Sequence, residues 1–231
     1  MPKAVMLHAV PFGYQVKQLP VAVAGGADLH IRALLDRQQF YDPLGEAEAA
    51  GISEACWPLF GQIWPSSQKL ADLMQSYDLA DRRVLEIGCG LALASMVIHR
   101  RLGDITASDC HPLTEQFLKA NLQLNTLPKL KYCTGNWGRS NHDLGEFDLI
   151  IGSDVLYERS HPEVLATFID QHAAAKAEIL IIDPNRSNRS AFHKQMASRG
   201  FSLHETMLTQ ALNDGSAYRG RLLQYLRSDP R

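Results

Sequence analysis

One nine-residue stretch constrains this chain more than any other: Val84-Leu85-Glu86-Ile87-Gly88-Cys89-Gly90-Leu91-Ala92. An aliphatic run carries an acid near its end. The chain then turns on two glycines, and an apolar segment runs from Leu91 to about Arg101. The pattern predicts strand, tight turn and helix. Glycine has no Cβ, so such a turn lets backbone come close to a ligand. A second acid, Asp109, lies nineteen positions after Gly90, at the end of the next predicted strand, Asp104-Ile105-Thr106-Ala107-Ser108. In an open α/β sheet, that is where a nucleotide ribose is held through its hydroxyls. Acid, turn and second acid together point to an adenosine-containing ligand at the carboxyl edge of a parallel sheet.

A dinucleotide fingerprint places a third glycine five positions after the first, for close helix packing. That position is Leu93. An acid at Glu86 also repels phosphates and suits a cation. S-adenosyl-L-methionine carries a sulfonium and an ammonium and no phosphate, so E-x-G-x-G fits that cofactor better than NAD.

The rest of the chain reads as more of the same α/β sheet. Strand one spans Arg83 to Ile87. A helix from Pro112 to about Asn125 follows strand two, with proline suited to its first turn. Strand three is Leu130 to Cys133. Strand four, Phe147 to Gly152, is nearly all apolar, as a strand covered on both faces should be. A helix starts at His161-Pro162-Glu163. Strand five is Glu178 to Ile182, and a helix spans Asn188 to Arg199. Phe201 to Met207 and Gly220 to Arg227 are the last strand candidates. Upstream, Ser67 to Tyr77 is a helix with Leu70, Leu73 and Met74 on one face. Residues 1–50 read as an N-terminal extension. It has a hairpin (Val21 to Ala24, a Gly25-Gly26 turn, Asp28 to Ile31), a short helix from Arg32 to Phe40 and a turn at Asp42-Pro43-Leu44-Gly45. Residues 51–231 read as one catalytic domain.

The 231 residues suffice for one sizeable core, and 45% hydrophobic with 21% charged residues is ordinary for a globular chain. A net charge of −2 gives no general pull toward nucleic acid or anionic lipid, so neither is expected as a partner. No run reaches the length of a membrane span. His8 and Pro11 interrupt the start, Met1 to Pro20, which makes a poor signal peptide. Cys56, Cys89, Cys110 and Cys133 form no C-x-x-C pair and suggest free thiols in a reducing cytoplasm. The nine histidines form no H-x-x-x-H or H-E-x-x-H, so no metal is expected.

Three segments carry a family resemblance. Val84 to Ala94 resembles the first motif of seven-strand S-adenosylmethionine methyltransferases. Ser153-Asp154-Val155-Leu156-Tyr157 resembles the D-x-x-Y signature of the lysine-methylating group called methyltransferase family 16. Ile63-Trp64-Pro65-Ser66-Ser67 resembles that group's W-P segment before the first strand. The likeness covers about residues 57 to 200. One departure is Ala92, where many relatives carry a further glycine. The resemblance implies a Rossmann-like, mostly parallel seven-strand sheet with an antiparallel C-terminal strand pair. It places Glu86, Gly88, Gly90, Asp109 and Ser153 around the cofactor, Trp64 against its methionine part, and Asn136 and Trp137 at its adenine. The N-terminal extension would cover the site, choose substrates or simply cap the sheet. The substrate implied is a protein lysine, with the β subunit of electron transfer flavoprotein as a candidate. Bacterial relatives labelled as nicotinamide N-methyltransferases make a small-molecule amine the alternative.

The chemistry points to Asp154 and Tyr157. A sulfonium is already an excellent leaving group, so the task is to place a neutral nucleophile in line with the methyl. A lysine amine, with an ordinary pKa of about 10.4, has to lose its proton first. A carboxylate at Asp154 would attract and orient it, and Tyr157 would align it. Arg186, in Asp183-Pro184-Asn185-Arg186 on the same sheet edge, could touch substrate, but a plain surface loop is the favoured reading. A degenerate fold kept only for binding is the reading from another class, with Ala92 its one hint.

Overall fold

The structure is a computed structural model that describes residues 14–139 and 141–228. Residues 1–13, including most of the stretch read against a signal peptide, lie outside the described residues.

Strands β1 (Val16–Val21) and β2 (Leu29–Leu34) form an antiparallel hairpin with Val16 opposite Leu34. Its boundaries differ from the sequence expectation. The hairpin as a whole begins earlier, at Val16, and ends later, at Leu34, with a longer connection between its strands, and Arg32 to Phe40 forms no helix. The ladder with β1 runs as far as Leu34, and every residue from Ile31 to Leu34 is buried, Arg32 included, so this segment is covered on both faces as a strand. Helix α1 is only Glu46–Ala49. The Asp42 carboxylate accepts the amides of Glu46, Ala47 and Glu48 at 2.9–3.0 Å and so starts this turn. A 3-10 segment, Glu54–Gly61, leads into α2 (Pro65–Ser76), which has its proline at the start.

The strands that follow are β3 (Arg83–Ile87), β4 (Asp104–Asp109), β5 (Lys131–Thr134), β6 (Phe147–Ser153), β7 (Ala173–Asp183), β8 (Ser202–Leu208) and β9 (Gly220–Arg227). They form one seven-stranded sheet of order β5-β4-β3-β6-β7-β9-β8. Strands β3 to β7 are parallel, and β9 runs antiparallel to both β7 and β8. Each strand lies close to its sequence-read position, except that β7 starts five residues early. Helices α3 (Leu93–Arg100), α4 (Thr114–Leu124), α5 (His161–His172) and α6 (Arg189–Ala197) complete the crossovers. Alternation along the central strands feeds two cores. Val84, Leu149 and Ile151 face one layer with Leu70, Met74 and Leu93. Leu85, Ile87 and Ile150 face the other with Phe168 and Phe192. The strand order reverses at β3, with β4 on one side and β6 on the other. That reversal opens a crevice at the carboxyl ends of the strands. Among the described residues no helix is long and apolar enough to cross a membrane.

The hairpin shares its core with the sheet, since Leu29, Ile31 and Leu34 belong to the same buried cluster as Val84 and Leu149. Two asparagines four positions apart dock it, one in the last turn of α4 and one at its C-cap. Asn121 receives the Arg32 amide at 2.7 Å and donates to its carbonyl, and Asn125 does the same for His30 at 2.8 Å. The amide side chains stand in for a neighbouring strand. Asn121→Ala leaves a buried N–H and C=O unpaired, at about 1–3 kcal/mol each. A loss of about 2–6 kcal/mol is expected in urea unfolding. A loss under about 1 kcal/mol would mean that the hairpin edge is held by other groups.

Candidate functional site

A cavity of about 610 Å³ lies at the carboxyl ends of the central strands. The sequence-predicted residues Trp64, Gly88, Gly90, Asp109, Asn136, Trp137, Ser153, Asp154 and Tyr157 all line it. Glu86 does not.

The glycine turn is as tight as its sequence suggests. Gly88 and Gly90 have φ of 56° and 50°. A Cβ at Gly90 would sit 2.9 Å from the Phe60 carbonyl oxygen. One at Gly88 would sit 3.1 Å from Val155 and 3.2 Å from the Trp137 ring. Conformation and space therefore both demand glycine here. Asp109 pins the turn to the neighbouring strand. Its carboxylate accepts the Gly90 and His111 amides, each at 2.9 Å. Burial pushes its pKa up, and these amides work against that. It is 8% exposed.

Glu86 is 2% exposed and turns toward the start of α3, where its carboxyl accepts both the amide and the hydroxyl of Ser95. It thus satisfies a free N–H in the first helical turn from outside the helix. The sequence reading gave this acid to the cofactor's cationic end, whereas the structure gives it to the helix. Burial raises its pKa to about 7.

Asn136 is also engaged. Its amide donates to the Ala50 carbonyl at 2.9 Å, its side-chain oxygen accepts the Gly138 amide, and its own amide goes to Asn141. It latches the segment before the 3-10 turn across the cavity, with Arg139 holding Ala49 beside it. Trp137 meets His161 edge-on at 5.1 Å, and Tyr157, 42% exposed, meets the same imidazole at 4.6 Å. His161 bonds the Val155 carbonyl through Nδ1, and burial lowers its pKa. Trp64 donates its indole N–H to Leu59, and its ring carries the Arg37 guanidinium at 4.4 Å.

Asp154 sits at φ 55°, left-handed, just after β6, and its amide bonds Ile182. Its carboxylate is gripped by Arg186 through two bonds, Nε to Oδ1 at 2.7 Å and Nη2 to Oδ2 at 2.9 Å. Arg186, read from sequence as surface loop, therefore lines the cavity. Arg37, Cys56, Cys110 and His111 line it too and were missed. His111 stacks on Phe60 at 3.8 Å, and burial lowers its pKa to about 4. Its place two residues after the strand-ending Asp109 was the one available signal.

A family model described as "Lysine methyltransferase" matches residues 46–199. EEF1A lysine methyltransferase 3 of Mus musculus is 29% identical over 112 residues, 46% of this chain and 48% of that protein. Protein N-lysine methyltransferase METTL21A of Xenopus tropicalis is 26% identical over 127 residues, covering 52% and 58%. The calmodulin-lysine N-methyltransferase of Arabidopsis thaliana is 29% identical, covering 54% and 45%. The chain thus spans about half the length of these curated relatives. Among solved structures, magnesium protoporphyrin IX methyltransferase from Synechocystis with bound SAM superposes with a TM-score of 0.54 at 18% identity, covering 73% of this chain and 86% of that one. A putative methyltransferase from Streptococcus mutans gives 0.58 at 14% identity, covering 95% and 56%. At such identities the likeness is one of fold.

The Glu86 pKa makes a stability prediction. The folded state keeps a proton that the unfolded chain gives up near 4.5. Its contribution is full below pH 4.5 and is lost as pH rises to about 7. Between those limits the wild type should lose about 3 kcal/mol more than Glu86→Gln, which cannot ionise. Denaturant unfolding of both proteins at several pH values reads the difference. Parallel curves would mean that the folded carboxyl ionises normally.

Proposed function

The chain belongs to the lysine methyltransferase family, and from that premise we propose that it is an S-adenosylmethionine-dependent N-methyltransferase acting on a lysine of a protein substrate. One observation carries the reading. The glycine turn, the buried Asp109 and the Asp154–Tyr157 pair, which come from three different strand ends, all face one cavity.

The donor set suits the cofactor. The cavity volume is in the range of small-molecule sites. Asp109 offers carboxylate oxygens at the end of β4, where a ribose is held. The two lining arginines, Arg37 and Arg186, are already engaged by Trp64 and Asp154, which leaves them poorly placed as pyrophosphate ligands. When bound, S-adenosylmethionine supplies an activated methyl whose leaving group needs no acid from the protein.

The chain's own residues then have three tasks. Asp109 and the glycine turn hold the adenosine part, with Trp137 and His161 walling the cavity. Asn136 and Arg139 keep residues 49–50 over it and limit entry of water. Asp154 accepts a hydrogen bond from the acceptor amine, and Tyr157, exposed at the mouth, aligns it. A protein substrate is supported by the names of the relatives. The β subunit of electron transfer flavoprotein is the first candidate to assay. A cytoplasmic location belongs to the same proposal, supported by four free cysteines.

Two measurements test the reading. S-adenosylhomocysteine at a hundred times its dissociation constant should stabilise the protein by about 2.7 kcal/mol, while NAD does nothing. Asp109→Ala should abolish that shift. Incubation with radiolabelled S-adenosylmethionine and lysate from cells lacking the gene should label a protein band, and Asp154→Asn should remove the label while keeping S-adenosylhomocysteine binding. Label confined to small molecules would move the acceptor to a free amine. Binding without any label would favour a non-catalytic role.

A further inference from the structure

We propose that Arg186 is a positioning residue that neutralises the Asp154 carboxylate, so that the acceptor pocket orients an amine in its neutral, nucleophilic form instead of trapping it as ammonium. The inference rests on the amine-methylating reading above.

The starting observation is the bidentate contact. Two parallel bonds of 2.7 and 2.9 Å run from one guanidinium to both oxygens of Asp154. The Asp154 side chain is 11% exposed and that of Arg186 is 41% exposed. An ion pair open to water on one side adds little to stability, so fold maintenance is a weak reason for it. Both residues line the cavity beside Tyr157. The bond to Asp154 raises the Arg186 pKa and keeps the guanidinium charged.

Consider the pocket without Arg186. A carboxylate within about 4–6 Å raises the pKa of an amine by about 1–3 units. The amine starts near 10.4, so a bare Asp154 would bind it tightly in the one form that cannot attack. With Arg186 in place the charge of the Asp154–Arg186 pair sums to zero. Each carboxylate oxygen still has a second lone pair free for an N–H donor. Orientation is kept and the pull toward ammonium is removed.

The other groups nearby do not supply that neutralisation. Tyr157 and Tyr218 are phenols. Glu158 is a further anion on the same connection, engaged with Cys56. Asp183 accepts the Arg186 amide at 2.8 Å, is fully buried, and has its pKa raised by burial. Arg189 lies 3.9 Å from Asp183 and is also drawn to Glu205. Among the described residues, only Arg186 bonds the Asp154 carboxylate through a cationic side chain.

Sinefungin tests this without turnover, because it carries a primary amine where the methyl donor carries its methyl. Its affinity at pH 8 is compared with that of S-adenosylhomocysteine by titration calorimetry. Arg186→Gln should tighten sinefungin relative to S-adenosylhomocysteine by about tenfold, since the ammonium then meets a bare carboxylate. Arg186→Lys keeps the charge and should hold the ratio within about twofold of wild type. Followed from pH 6 to 10, the fall of the ratio as the amine deprotonates should move up by about one unit in the Gln variant. S-adenosylhomocysteine affinity reports the integrity of each variant. A ratio unmoved in Arg186→Gln overturns the inference, as does a Lys variant that behaves like Gln, which would make the role geometric. A wild type that binds no S-adenosylhomocysteine removes the functional reading itself. One that binds it with an unmoved ratio removes only the role of Arg186.

Discussion

The Asp109 carboxylate is the tie on which the cavity floor depends. Its two oxygens take the amides of Gly90 and His111, which joins the turn after β3 to the end of β4. Its backbone carbonyl takes the Tyr132 hydroxyl from β5 at 3.1 Å. One residue thus holds three strand ends in register where the sheet order reverses. Burying a carboxylate is unfavourable unless it is hydrogen-bonded, and the raised pKa records that opposition. The amides that offset it belong to the turn that has to stay tight. Glu86 adds the second brace, from β3 to the first turn of α3. The two acids of the strand–turn–helix unit therefore divide the work, one facing the cavity and the other the helix.

The same economy governs the cationic side of the site. Among the cavity surfaces able to receive a positive charge are the Trp64 ring and the Asp154 carboxylate. Each is met by an arginine of the chain itself, Arg37 from the segment after β2 and Arg186 from the loop after β7. A guanidinium over an aromatic face is worth about 0.5–1 kcal/mol when exposed, which is small enough for a ligand to displace. The bidentate pair at Asp154 is tighter and fixes an orientation. The first contact is the weaker of the two, and the second is the one on which the proposal for Arg186 rests.

The fold was legible because its signals are local. The apolar runs of β3 and β6 and the glycines after β3 each name their own conformation, and the sheet follows from their order. The site was legible to the same extent: Gly88, Gly90, Asp109, Asp154 and Tyr157 all reach the cavity because a strand end leaves them there. What the sequence hid were pairings across the chain. Arg186 meets Asp154 thirty-two positions away, Asn136 spends its amide on Ala50, and Asn121 replaces a strand for Arg32. Nothing in the neighbouring residues announces such partners. Glu86 is the instructive case, because a strand-end acid points to one face or the other, spacing alone does not say which, and here the carboxyl bonds Ser95 and is outside the cavity lining.

Ala92 shows how a departure from the family pattern is absorbed. The backbone there is left-handed at φ 57° and ψ 40° just before α3, a conformation that suits the glycine of the motif this stretch resembles. An alanine in that region costs about 1–2 kcal/mol. Its methyl is fully buried with Leu93 and Ala94 in the main core and is absent from the cavity lining, which runs from Gly88 to Leu91 and stops. The burial of that methyl returns roughly 0.8 kcal/mol. The substitution is therefore settled within the core beneath the turn, between backbone strain and packing, and it takes no space from the ligand. Asp154, a left-handed non-glycine residue that does line the cavity, has the opposite logic. Its side chain lines the cavity, and aspartate tolerates that conformation better than most residues. A strained backbone at the first position is a matter of stability, and at the second it aims the carboxylate.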